Sequence, residues 1–169
     1  MKKALVAAGL LVLAGCTSAP APAPAPTTGS TETATSTTQA ASGSLTCENA
    51  PEDVVGAALQ LNLKHPKETL NGIVVVCQYE GGGANTMVRF QQESDADAFA
   101  QGKKGFTDSG QRVTDLPGFF DEAYTSTLGT GEVVQNTVVA RKGDVEILVT
   151  SGANFEQEKK LVTELFDKL

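Results

Sequence analysis

The chain has 169 residues, 40% of them hydrophobic, with 13 Lys+Arg against 20 Asp+Glu, three cysteines, one histidine and no tryptophan. That length suits one domain and leaves little room for a second of full size. Two of the lysines fall in the first fifteen residues, so 11 basic residues face 20 acids beyond them; this argues against a nucleic-acid partner and against a polybasic contact with anionic lipid, both of which need clustered Lys and Arg.

Met1-Lys2-Lys3 is a short positive segment, followed from Ala4 to Ala14 by residues that are all apolar or Gly, and then by Gly15-Cys16. Residues 1–15 therefore read as a secretion signal, too short to span a bilayer. Leu13-Ala14-Gly15-Cys16 resembles the lipobox of bacterial lipoproteins, in which a diacylglycerol joins the cysteine thiol and the peptide is cut just before it. The resemblance implies cleavage between Gly15 and Cys16, with Cys16 as the lipidated first residue of the mature chain. One acyl chain anchors only marginally, whereas the two of a diacylglycerol make attachment lasting. The implied address is the outer leaflet of the plasma membrane in a one-membrane cell. In a two-membrane cell it is the outer membrane, since Thr17 stands where an Asp would resemble an inner-membrane retention signal.

Residues 17–44 hold eight Thr, seven Ala, five Ser and four Pro, with Glu32 as the one charge and no aliphatic side chain larger than alanine. So little apolar surface cannot offset chain entropy, and residues 16–44 are expected to form a disordered linker. The Ala-Pro alternation from Ala19 to Pro26 favours extended polyproline II, about 3.1 Å per residue. Glycosylation of the Thr and Ser hydroxyls is a functional alternative that composition leaves open.

Residues 45–169 form the expected folded domain, large enough for a genuine core. With Cys16 committed to lipid, Cys47 and Cys77 are left to pair, and an exported domain favours a disulfide between them. A redox-active role needs a CxxC-like spacing or an activated thiolate, which neither cysteine shows.

Pro51-Glu52-Asp53 suits a first helical turn, and Val54, Val55, Ala58 and Leu59 follow at helical spacing, with an end near Asn62. Ile73 to Tyr79 is β-branched and nearly continuous, as in a well-covered strand. Gly81-Gly82-Gly83 turns the chain into Thr86 to Phe90, whose two-residue period predicts a hairpin partner. Ser94-Asp95-Ala96-Asp97 predicts a helix with Ser94 as N-cap and Ala96, Phe99 and Ala100 on its inner face. Strands are then expected over Gln111–Thr114, Phe120–Ser126, Val133–Arg141 and Asp144–Thr150, the last two joined by a turn at Arg141-Lys142-Gly143-Asp144. Leu161, Val162, Leu165, Phe166 and Leu169 make one face of a C-terminal helix. The order α-β-β-α-β-β-β-β-α predicts an α+β fold, a mostly antiparallel sheet with flanking helices and one disulfide.

Sites of chemistry are sparse. His65, in the proline-broken segment Lys64-His65-Pro66-Lys67, is the one histidine available as a base, and an exposed side chain is expected there. Asp95 and Asp97 form a DxD that helix capping accounts for, and no metal or cofactor is expected. The glycine runs 81–83 and 129–131 lack a phosphate-binding spacing and read as turns. Gly102-Lys103-Lys104-Gly105 reads as a solvated helix end. Asp121 and Glu122, adjacent in a predicted strand, should point to opposite faces and not share an acid/base site. Phe119-Phe120 after Pro117-Gly118 places two large apolar side chains beside a turn, where they either close one end of the core or line an apolar pocket or partner groove. With Tyr124, they are the candidate residues for ligand or partner contact.

Leu116-Pro117-Gly118-Phe119-Phe120-Asp121-Glu122-Ala123-Tyr124, then Val139-Ala140-Arg141-Lys142-Gly143-Asp144-Val145 and a last helix, resembles uncharacterised cell-wall lipoproteins and extracellular sensor domains of actinobacteria. Their pattern is Pro-Gly-Leu-Gly-Asp-Glu-Ala followed by Val-Arg-Lys-Gly; Phe120 stands where that pattern has Gly. The resemblance implies a PsbP-like α/β sandwich and transfers no catalytic residue. The expected function is a non-catalytic lipoprotein, held to the membrane through Cys16, whose domain binds an envelope protein or small ligand. The alternatives are a carrier of a lipid or other small hydrophobe and an uncharacterised envelope enzyme.

Overall fold

A computed structural model describes residues 44–131 and 134–169. After a 3-10 turn at Cys47–Asn49 come α1 (Glu52–Leu59), β1 (Lys67–Asn71), β2 (Val74–Tyr79) and β3 (Thr86–Gln91). Then follow α2 (Ala96–Asp108), β4 (Arg112–Asp115), β5 (Glu122–Leu128), β6 (Gln135–Lys142), β7 (Val145–Ser151) and α3 (Phe155–Phe166). The seven strands form one sheet in the order β1-β2-β3-β7-β6-β5-β4, every neighbouring pair antiparallel. This is the expected α+β class with flanking helices and a Cys47–Cys77 disulfide.

Alternation along the strands sorts the side chains into two layers. Val75, Cys77, Val88, Phe90, Val138, Ala140, Ile147 and Val149 turn to one face, where Val55, Ala58 and Leu59 of α1 and Leu161, Val162 and Leu165 of α3 complete the larger core. The opposite face buries a smaller cluster of Phe99 from α2 with Tyr124, Val139 and Leu148, over the half of the sheet nearest β4. The disulfide fastens the entering chain to β2, and Glu68 of β1 accepts a hydrogen bond from the Cys47 backbone N–H at 2.6 Å.

Several local expectations need correction. Six strands were expected and seven form, because Lys67–Asn71 pairs with β2 along its whole length. All five of its residues are exposed, so no burial pattern marks it. The first helix stops at Leu59, where Gln60 takes a left-handed conformation (φ 58°). Asp95, not Ser94, caps α2, accepting from Ala98 N at 2.8 Å. Ser94 is buried instead, its hydroxyl donating to Glu146 Oε2 at 3.2 Å. Gly102-Lys103-Lys104-Gly105 lies inside α2 rather than at its end. The fifth strand begins at Glu122 and not at Phe120, because Gly118 and Phe120 both have positive φ and bend the chain first.

Candidate functional site

The turn between β4 and β5 builds the surface that holds Phe119 and Phe120. Leu116 N–H donates to Ala123 O (2.9 Å), Phe119 N–H to Leu116 O (3.3 Å) and Asp121 N–H to Arg141 O (3.1 Å). Between these anchors the backbone reverses with Gly118 at φ 79° and Phe120 at φ 57°. A bulky L-residue in that region costs about 1–2 kcal/mol, since its Cβ crowds the following carbonyl. Packing holds it there: the Phe120 ring lies 4.7 Å from that of Phe119 and 4.5 Å from that of Phe166 on α3, centroid to centroid.

Lys142, from the end of β6, places its ammonium 6.0 Å from the Phe120 ring and 5.9 Å from the Phe166 ring. Such a contact contributes about 0.5–1 kcal/mol at an exposed site. Beside it a depression of about 330 Å³ is lined by Lys142, Gly143, Val145, Phe166 and the exposed Leu169. Both phenylalanines are half-buried against the larger core. They therefore close one end of the core, and Phe120 shares the Lys142 ammonium with Phe166, which lines the depression.

Tyr124 does not join them. It points to the other face, 1% exposed, edge-on to Phe99 (5.3 Å) and Phe106 (5.7 Å) of α2. Burial first, and the Glu146 carboxylate second, push its phenol well above the usual tyrosine range. It is a packing residue of the smaller core. Alternation along β5 gives the reason, since Ala123 faces the larger core and Tyr124 the smaller.

Asp121 and Glu122 are brought together, contrary to the expectation that they diverge. Asp121 precedes β5, accepts from Gly143 N–H at 2.7 Å and lies 4.0 Å from Arg141 Nη1. Glu122 meets the same guanidinium at 2.8 Å to Nη2 and 2.9 Å to Nε. Both line a cleft of about 300 Å³ together with Asp115 and Lys103, which form their own ion pair. Each carboxylate in this cleft thus has a cation, an arrangement that stiffens the turn.

His65 is exposed, its Nδ1 3.3 Å from Glu52 Oε2. Asp95 acts as the cap of α2 and Asp97 is exposed in the first turn. Among the described residues no group of three or more His, Cys, Asp or Glu side chains is placed to hold a metal, and no helix is long and apolar enough to cross a membrane. Gly15, Cys16 and the linker lie outside the described residues.

Glu158 escapes the sequence reading, as do Arg141, Lys142 and Phe166 as site residues; the glutamate is fully buried in α3 with its Oε1 2.6 Å from the Ser151 hydroxyl. The signal was present. Residues 158, 161, 162 and 165 share one helical face, so the period itself puts the carboxyl on the apolar stripe. Set against known proteins, the chain matches no family model, no curated protein and no solved structure.

Proposed function

We propose that the chain is an exported, non-catalytic lipoprotein, tethered to a membrane through Cys16, whose domain engages an envelope protein or a small ligand. The observation that carries the contact surface is the strained Phe120, held in a left-handed conformation beneath Lys142 and against Phe166. Strain of this kind persists only where the surroundings over-determine it, and it concentrates at binding and switch regions. Export is supported by the Cys47–Cys77 disulfide, which fits an oxidising compartment. Anchoring is supported by the lipobox-like Leu13-Ala14-Gly15-Cys16.

The depression beside Phe166 favours a second reading, a carrier of a small hydrophobe. Its volume of about 330 Å³ is at the small end of the roughly 300–1,000 Å³ usual for ligand sites. An amphiphile with a short apolar tail and an anionic head would match Val145, Phe166 and Lys142.

A photo-crosslinking residue placed at Lys142 in the full chain, irradiated in intact cells, tests both. A discrete protein adduct, not seen from a control position at Thr107 on α2, supports the binding module. A lipid or small-molecule adduct supports the carrier, and no adduct beyond the control overturns this surface as the contact. Radiolabelled palmitate incorporated by the wild type and not by Cys16→Ser tests the anchor; equal labelling would sink it.

A further inference from the structure

The residue the proposed function leaves unused is Glu158. α3 opens with Asn154 as its cap, and its buried residues are Glu158, Leu161, Val162, Leu165 and Phe166. The carboxyl is thus the first member of an otherwise apolar stripe, at 0% exposure. Ser151, the last residue of β7, donates its hydroxyl to Oε1 at 2.6 Å and accepts from Ala153 N–H at 3.0 Å. Oε2 has no hydrogen-bond partner among the described residues. The same is true of Thr86 Oγ1 on β3. Thr86 stands one step beyond the Met87–Thr150 pair and therefore next to Ser151 in the sheet. Two unpartnered buried oxygens flank one serine at the place where α3 meets the strands.

A buried carboxylate needs a cation or several donors to offset its lost hydration. Charged groups on every element packed against α3 lie elsewhere. On α1, Glu52 and Asp53 occupy the first turn, away from Leu59, whose carbonyl accepts from Gln157 Nε2 at 2.9 Å. On β6, Lys142 sits by Phe166 at the far end of α3, and Arg141 turns to the opposite face, where it binds Glu122. On β7, Glu146 also faces the other side, paired with Arg89. On α3 itself Glu156 pairs with Lys159 and Lys160 with Glu164. Burial accordingly pushes the Glu158 carboxyl up to about 8, hydrogen bonding from the hydroxyl and the backbone of Ser151 only partly opposing it.

We infer that Glu158 is a proton-controlled latch: as the neutral acid it seats the first turns of α3 on the sheet, and as the carboxylate it releases them. The open helix leaves its carboxyl in water and one proton in solution. Opening also draws on the Gln157–Leu59 bond that ties α3 to α1 and uncovers Leu59, Ala153 and Leu161, all hidden in the closed form. The latch belongs to the fold and stands whether or not the export reading holds.

The test is hydrogen–deuterium exchange by mass spectrometry on the full chain from about pH 5 to pH 9, corrected for the intrinsic pH dependence of exchange. In the wild type, protection of the first turns of α3 falls by up to tenfold per pH unit as the pH rises. The fall levels off near pH 8, where the closed form ionises as well. Glu158→Gln removes the slope. Ser151→Ala, which takes a donor from the charged form, extends the falling range to higher pH. A wild type without the slope, or a Glu158→Gln variant that keeps it, overturns the latch. If the glutamine variant does not fold, the infrared spectrum of the wild type decides. A protonated carboxyl band at about pH 6, where exposed carboxylates are ionised, that disappears by about pH 9 supports it, and no such band at pH 6 overturns it.

Discussion

Arg89 on β3 and Glu146 on β7 close an ion pair across the seam that joins the two halves of the sheet, with the carboxylate side chain 4% exposed and the guanidinium 28%. Ser94 adds a hydroxyl donor to the other carboxylate oxygen at 3.2 Å. The pair is unequal, since removing the arginine strands a buried charge whereas removing the glutamate frees a cation that water already reaches. Arg89→Ala is therefore expected to cost about 3–5 kcal/mol in urea denaturation. The double change Arg89→Met with Glu146→Leu should recover most of that loss. A cost for Arg89→Ala within about 1 kcal/mol of zero would show the pair to be idle.

Glu158 makes global stability depend on pH with a definite sign. Burial lifts its folded-state value to about 8, above the 4.5 of a freely hydrated glutamate. Between those limits the folded chain holds a proton that the unfolded chain releases, so stability is full below the lower limit and declines as pH rises toward the upper one. Glu158→Gln should match the wild type within about 1 kcal/mol at pH 5 and exceed it by about 2 kcal/mol or more at pH 8. Denaturation midpoints at the two pH values measure this, and a constant difference between the chains would refute it.

The Cys47–Cys77 bridge spans a sequence separation of 30. On the chain-entropy argument a loop of that length contributes about 3–4 kcal/mol. Reduction, or the paired change Cys47→Ser with Cys77→Ser, should lower the urea midpoint by that equivalent. It should also release the Cys47–Asn49 turn from β2, which limited proteolysis near Glu48 would report.

Phe120 offers a comparison between two truncations. Phe120→Ala loses the ring contacts with Phe119 and Phe166 and keeps the left-handed backbone. Phe120→Gly loses the same contacts and relieves the strain. The glycine variant should be the more stable of the two by about 1 kcal/mol in equilibrium denaturation, and the reverse order would mean that the backbone carries no strain.

What was legible in the sequence followed from periodicity. The apolar stripe of α3, the alternation in β3 and the cysteine count each point to the structural partner that the fold supplies. β1 is hidden because Lys67-Glu68-Thr69-Leu70-Asn71 buries none of its residues and is held by its ladder to β2 and the hydrogen bond from Cys47 to Glu68. Ser94 misled as a cap because a serine before an acidic turn is a cap by local rules, while its burial is decided by Glu146, distant in the chain. Asp121 and Glu122 misled through the strand boundary, which moved two residues when Phe120 bent the chain. Tyr124 parts from Phe119 and Phe120 because nearness in sequence says nothing about which face of a sheet a side chain takes.

Five of the six strand pairings join neighbours in the chain; β3 with β7 is the exception, matching Met87 to Thr150 and Gln91 to Glu146. Each half, β1-β2-β3 and β4-β5-β6-β7, can thus zip up through short loops whose closure entropy is small. The molecule becomes one sheet only when β3 finds β7 across α2 and three strands. The search for that one non-sequential strand pairing is expected to set the tempo of folding: lesions along Val88, Phe90, Ile147 and Val149 should delay assembly, while lesions in the β1–β2 hairpin should hasten disassembly.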